Sequence, residues 1–248
     1  IVKVILILVV IALVLFFGVM PTQVDKAANR ADPGDLDLSV GAAALALHET
    51  LNVVDLHADP LLWRRDLLKE HDYGHVDIPR LVQGNVAVQV FAAATKSPAN
   101  QNYDSNPSDS DMLTSLMVAN LQPPATWGSL YERALYQAEK LRNLEKRAPD
   151  RLSFIRSAAD LETLMSARAE KRRPVGGIMA LEGAHALEGK LENLDGLYNA
   201  GYRIFGLAHF FDNEMAGSMH GLEKYGLTEL GRQAIHRAEE LGMIIDLA

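Results

Sequence analysis

The chain has 248 residues, with 24 Lys+Arg against 32 Asp+Glu, eight His and no Cys, for a formal net charge of −8. Its 48% hydrophobic and 23% charged content is that of a globular chain, long enough for one large domain or two small ones. Without Cys there is no disulfide framework, thiolate zinc site, iron–sulfur cluster or cysteine nucleophile, and the acidic balance argues against a general nucleic-acid binder.

The first element is apolar. Val4 to Met20 is a run of 17 residues without a charge, preceded only by Lys3. A bilayer core takes ~20 residues of helix and a signal-peptide apolar region ~7–15, so the run leans toward a membrane span. Pro21-Thr22-Gln23-Val24 follows it in place of a small-x-small cleavage site. Lys26 and Arg30 on one side and Lys3 on the other leave the orientation undecided. Asp25 to Asp37 is polar and carries Pro33-Gly34, a linker signature.

A repeating pattern then begins. A helix is predicted from Ala42 to Leu51, with Ser39 as its candidate cap. Short apolar runs at 52–56, 85–93, 152–155, 175–181, 202–208 and 243–247 read as six strands. Between them, amphipathic stretches at 127–147, 159–169, 191–200 and 228–241 read as helices. Gly201 and Gly242 stop the last two, and Thr228 caps the final one. Strands that alternate with helices and are apolar throughout indicate a parallel sheet covered on both faces. An open doubly wound sheet is the alternative, although no strand is followed by G-x-G-x-x-G.

The polar residues fall where strands end. His57-Ala58-Asp59 follows the first strand, Glu182, Gly183 and His185 the fourth, and His209 the fifth. In a parallel β/α barrel those ends open onto one face, where catalytic groups collect. Alternation sends His57 and Asp59 to one side, so both can face one ion. A carboxylate at Glu182, between an apolar strand and a glycine, needs a partner or a metal. His185 either supports a ligand or caps the next turn, and capping is the favoured reading. His209 could equally be a satisfied core histidine, and His48, His71, His75, His220 and His236 look peripheral. His, Asp and Glu without Cys suit Zn²⁺ or another divalent ion of mixed N/O preference. A carboxylate between two ions, with water held between them, would supply hydroxide near neutral pH. No G-x-S-x-G elbow or phosphate-binding loop competes. The polar segment Thr95 to Asp111 should be an irregular loop on the same face.

Four stretches, NVVDLHADPLLW, HVDIPRLVQGNVAVQVFAA, GIMALEGAHALEGKLENLDGLYNAGYRIFGLAHFFDN and GLTELGRQAIHRAEELGMIIDLA, resemble in order the membrane dipeptidase (renal dipeptidase) family, peptidase family M19. The resemblance implies a (β/α)8 TIM-type barrel of the metal-dependent hydrolase kind and hydrolysis of dipeptides with two Zn²⁺. It implies His57 and Asp59 as ligands of the first zinc, Glu182 as the carboxylate bridging both, and His209 as the histidine that contacts substrate at the scissile carbonyl. Phe210-Phe211-Asp212-Asn213-Glu214 departs from the segment typical of the family, which leaves substrate preference open.

The organisation expected is a transmembrane or signal-anchor segment at 1–20, a linker at 21–41, and at 42–248 the N-terminal portion of a metallo-dipeptidase barrel. The 198 residues after Thr50 hold six strands, whereas a complete barrel needs eight strand–helix units and typically ~250 residues. The barrel is therefore expected to be incomplete, with the second zinc's histidines beyond Ala248 and this piece alone inactive. The expected partners are a dipeptide, a membrane reached through the N-terminal helix and a second copy in a homodimer, with no nucleic acid. The expected location is membrane-anchored with the catalytic domain outside the cytoplasm, or exported to a periplasm. Another amide or ester hydrolase on this barrel and a catalytically silent binding module are the alternatives.

Overall fold

The structure, a computed structural model, describes residues 1–31, 39–170 and 173–247. The Pro33-Gly34 linker signature lies outside the described residues. Helix α1 (Val2–Val14) runs through a π-helical turn at Leu15–Val19 into α2 (Met20–Ala28). Together they make one helical stretch, Val2–Ala28, long and apolar enough to cross a membrane, with a window of mean hydropathy 3.2 and none of that window buried. The polar residues from Asp25 to Ala28, read as linker, continue this helix.

Next come α3 (Ala42–His48), β1 (Val53–Ala58), α4 (Ile78–Gln83), β2 (Val86–Ala93), α5 (Leu113–Ala119) and the short α6 (Ala125–Gly128). The long α7 (Leu130–Arg147) leads to β3 (Leu152–Phe154), α8 (Ala158–Ala169), β4 (Val175–Leu181), α9 (Glu192–Ala200), β5 (Tyr202–Gly206), α10 (Glu229–Glu240) and β6 (Ile244–Asp246). All six expected strands form. Gly41, not Ser39, is the residue that precedes the first turn of α3, and it makes no side-chain cap. The helix expected from Trp127 is interrupted at Ser129, whose extended backbone lets its hydroxyl accept from Glu132 N–H and start α7 afresh. Asp77, Ser157 and Thr228 cap α4, α8 and α10 in the same way.

Every strand pairing is parallel, in the order β1-β2-β4-β5-β6. β2 lies along one edge of β4 over its length. β3 and β5 share the other edge, β3 beside 175–177 and β5 beside 179–181. The sheet is an open portion of a β/α barrel. Met179 and Leu181 of β4, with Phe91 and Ala93 of β2, bury one face against Ala134, Ala138 and Leu141 of α7, Leu194 and Leu197 of α9, and Ala234 and Ala238 of α10. The alternate residues Val88 and Ile178 meet Ile155 and Leu164 on the opposite face. Among the described residues β1 and β6 each pair on one side, and apolar side chains along them stay exposed: Val54 and Leu56 on β1, Ile244 on β6 and the adjoining Leu247.

Gly201 closes α9 at φ +115, and a Cβ there would meet Phe154 Cζ at 2.3 Å. Both the left-handed backbone and the packed ring oppose any side chain. Gly201→Ala should therefore lower unfolding stability by about 2–3 kcal/mol, read as a fall in the denaturant midpoint at unchanged slope.

Candidate metal centre

The parallel topology delivers three strand ends to one place. His57 is part of β1, which runs to Ala58, two residues further than the sequence pattern suggests. Asp59 opens the 3₁₀ turn Pro60–Leu62, Glu182 follows β4 directly, and His209 stands three residues after β5. His57 Nε2 lies 3.1 Å from Asp59 Oδ1 and 3.0 Å from Glu182 Oε1, and His209 Nε2 lies 3.3 Å from the same Glu182 oxygen. Ligand atoms of His57, Asp59 and Glu182 all fall within 4.8 Å of one another.

Two glycines make this approach feasible. Gly183, at φ +90, turns the chain so that a Cβ would strike the His185 ring at 2.6 Å and His209 Cβ at 3.3 Å. Gly206 lies so close to β4 that a Cβ would meet Leu181 O at 2.8 Å.

The electrostatics describe a site crowded with acceptors. Shared hydrogen bonding with Asp59, and then with Glu182, raises the His57 pKa to about 10, with burial opposing. The protonated imidazole is thus the positive charge that two neighbouring carboxylates demand. Asp59 Oδ1 is nonetheless buried without an aligned hydrogen-bond donor, because His57 approaches it off-line. A buried carboxylate oxygen without a donor, beside a second carboxylate and an imidazole, fits a divalent cation of mixed N/O preference. Burial holds His209 below its ordinary pKa despite the pull of Glu182 and Asp59. Its ring therefore stays neutral near pH 7 and can donate a single N–H.

His185 does not cap its turn. It is buried, and its Nε2 lies 3.0 Å from the Thr95 hydroxyl. Its ring packs on Phe211 at 4.7 Å, and no side-chain cap bond forms at its turn. Burial pushes its pKa down to about 3, so it is neutral. His48, His71 and His236 do stand apart, bonded to Gly84 O, bonded to Asp66 O and paired with Glu239 respectively. His220 does not. It stacks on Phe210 at 5.0 Å, and Phe210 in turn sets its edge against His209 at 4.7 Å. Tyr103, from the 95–111 segment, lies against both Phe210 and His220, and Asn106 donates to His220 O, which brings that segment to the rim of the site.

The residue that pattern reading passes over is Arg133. All five of its N–H groups are used: to Thr126 O, Thr95 O, the Asp111 carboxylate, the Thr114 hydroxyl and Trp127 O. The side chain is 1% exposed. It pins both ends of the rim segment, and through Thr95 it reaches the His185 ring. Its only trace in the sequence is a guanidinium beside the apolar stripe of α7. Glu188 supports α7 from outside. In a left-handed conformation at φ +53, it accepts from Ser129 Oγ and from the N–H groups of Leu130 and Tyr131.

A family model described as membrane dipeptidase (peptidase family M19) matches residues 42–248. An uncharacterized dipeptidase of Schizosaccharomyces pombe is 28% identical over 181 residues, covering 72% of this chain and 40% of that protein. The probable dipeptidase PvdM of Pseudomonas aeruginosa shares the fold with a TM-score of 0.62 at 20% identity, over 82% of this chain and 48% of that one. A metallo peptidase of Rhodobacter sphaeroides, solved with a phosphinate mimic of the dipeptide L-Ala-D-Ala, gives a TM-score of 0.58 at 26% identity, over 80% of this chain and 58% of that one. The chain thus spans about half the length of the relatives it matches.

The Arg133–Asp111 pair sets a pH signature. Burial raises the Asp111 pKa, but Arg133 and Thr114 outweigh it and hold the carboxyl below its ordinary 3.8. A folded pKa below the unfolded one stabilises above the unfolded value, and that contribution is lost as pH falls through the folded one. Arg133→Met should cost about 3–5 kcal/mol at neutral pH. It should also flatten the acid limb of the stability curve below pH ~4, measured by denaturant titrations across pH.

Proposed function

Because the chain belongs to the membrane dipeptidase family, peptidase family M19, we propose that it carries the first half of a zinc-dependent dipeptidase site. The observation that supports this best is the convergence of His57, Asp59 and Glu182 ligand atoms within 4.8 Å, with Asp59 Oδ1 buried and lacking an aligned donor. His57 and Asp59 would hold the first ion, and Glu182 would bridge it to a second. Bound there, the ions supply a nucleophile from water near neutral pH and polarise the scissile carbonyl.

The chain's own residues do the rest. Glu182, half-buried after β4, keeps its carboxylate fixed between the histidines of β1 and of the β5 loop. His209, neutral because it is buried, points Nε2 into the same space and, in the tautomer protonated there, presents an N–H. That N–H is placed to donate to the carbonyl oxygen as it gains charge, a role worth about 10²–10³ in rate for one such donor. Phe210, His220 and Tyr103 form an aromatic wall beside it, suited to the side chain of a dipeptide. The full-length protein would act as a hydrolase on dipeptides, tethered through the Val2–Ala28 helix with its catalytic domain outside the cytoplasm.

Two substitutions separate the roles. In the full-length enzyme, Glu182→Gln should lose bound metal and dipeptide hydrolysis together, since an amide bridges two cations poorly. His209→Ala should keep metal near wild type while the rate falls by about 10²–10³. Metal analysis beside a dipeptide assay reads both. Zinc loss in His209→Ala would make it a ligand, and normal turnover in Glu182→Gln would end the two-ion reading. Removing the centre of the rim segment, 100–104, should raise KM for dipeptides with metal content unchanged. Unaltered kinetics would place the segment outside the substrate path.

A further inference from the structure

The helix that leaves the apolar span does not hang free of the barrel. Asp25 and Arg65 form an ion pair in which each side chain is only 3% exposed. Tyr73 closes over it, with the Arg65 guanidinium 5.7 Å and Lys26 Nζ 5.0 Å from its ring centroid. Gly74 at φ +79 packs against the same guanidinium, where a Cβ would come within 3.0 Å, and Gly74 N–H donates to Asn29 O at 2.7 Å. Arg64 Nη1 reaches further back, to Phe17 O at 3.1 Å. Phe17 lies in the π-helical turn, where the regular backbone ladder is interrupted and a carbonyl is free to take an outside donor.

The place of these contacts matters more than their number. Arg64, Arg65, Tyr73 and Gly74 all belong to the loop between β1 and α4, which begins with Asp59 and leaves the catalytic end of the sheet. α2 also packs against α5, in the loop that follows β2 at that same end. Beside α5, Met112 and Leu121 are 57% and 60% exposed. Leu121 holds a left-handed backbone at φ +54, which a leucine adopts only at a cost. Gln122 next to it donates to Leu62 O at 3.5 Å, tying this turn to the β1 loop.

We propose that α2 is a strap that fixes the catalytic end of the barrel against a lipid bilayer, with Met112 and Leu121 at the headgroup level. The proposal rests on the reading of Val2–Ala28 as a membrane anchor. The bilayer is the occupant that fits this rim, because the strapped helix continues directly into an apolar segment that can be satisfied only there. A barrel held by a slack tether would tumble and present all of its surfaces to lipid equally. A strapped barrel presents one.

The chain has no cysteine, so a single introduced thiol can be labelled uniquely. Leu121→Cys on the rim and Asp150→Cys, in the exposed turn between α7 and β3 at the far end, are each labelled with an environment-sensitive fluorophore. Each is then reconstituted into phosphatidylcholine vesicles containing headgroup-nitroxide lipid. The Leu121 label should lose most of its fluorescence and the Asp150 label almost none. In Asp25→Ala, which breaks the strap, the difference between the labels should collapse while the chain still floats with the vesicles. Flotation with equal quenching at both wild-type labels would overturn the strap alone. A chain that does not float would reject the anchor reading and the strap with it. Should Asp25→Ala fail to fold by circular dichroism, the comparison of the two labels in the otherwise unaltered chain still decides.

Discussion

Two carboxylates held around one imidazole need a positive charge at their centre. Asp59 and Glu182 come from strands far apart in sequence, and each is brought to about 3 Å from His57 Nε2. Bare, they would repel each other and force the β1 and β4 ends apart. A proton on His57 meets the demand in part, and its raised affinity for that proton measures the demand. A divalent cation meets it better, because it also satisfies the Asp59 oxygen that has no well-aligned donor. The barrel, its glycines and its loops can be understood as what it takes to hold these groups together against their own charge.

Much of this was legible in the sequence, for a definite reason. Parallel strands buried on both faces are largely apolar, so polar residues at or just beyond a strand's last positions stand out. That is how His57, Asp59, Glu182 and His209 stand out, and the geometry brings them together. The same local logic gave the cap at Thr228 and the stop at Gly201. It failed where the partner is distant. His185 sits in a turn where a capping role is locally sensible. What decides its fate is Thr95, ninety residues away, and the ring of Phe211. Arg133 has five partners from three different segments, and its own position on a helix announces none of them. His220 looks peripheral in the sequence because nothing adjacent in the chain hints that Phe210 will stack on it.

The short helices α4, α5 and α6 escaped notice on the same principle. Each is a turn or two long and has too few positions for an apolar period to show. They are formed by tertiary contacts: Asp77 caps α4 and is itself fully buried, while α6 contributes the Trp127 carbonyl that Arg133 binds. Such elements follow from the fold and do not announce it.

The five-fold ligation of Arg133 bears on how this barrel could be altered. Thr95 and Asp111 stand at the two ends of the rim segment and are fastened to the same guanidinium. The backbone between them touches the rest of the molecule at few points, chiefly through Tyr103 and Asn106. Residues 97–109 are thus a cassette with its own clasp. A sequence of different length or chemistry can be exchanged there without disturbing the strand ends that carry His57, Asp59 and Glu182, provided the Thr and Asp at its borders are retained. Such a clasp lets the segment between Thr95 and Asp111 vary while the strand ends that carry His57, Asp59 and Glu182 stay as they are.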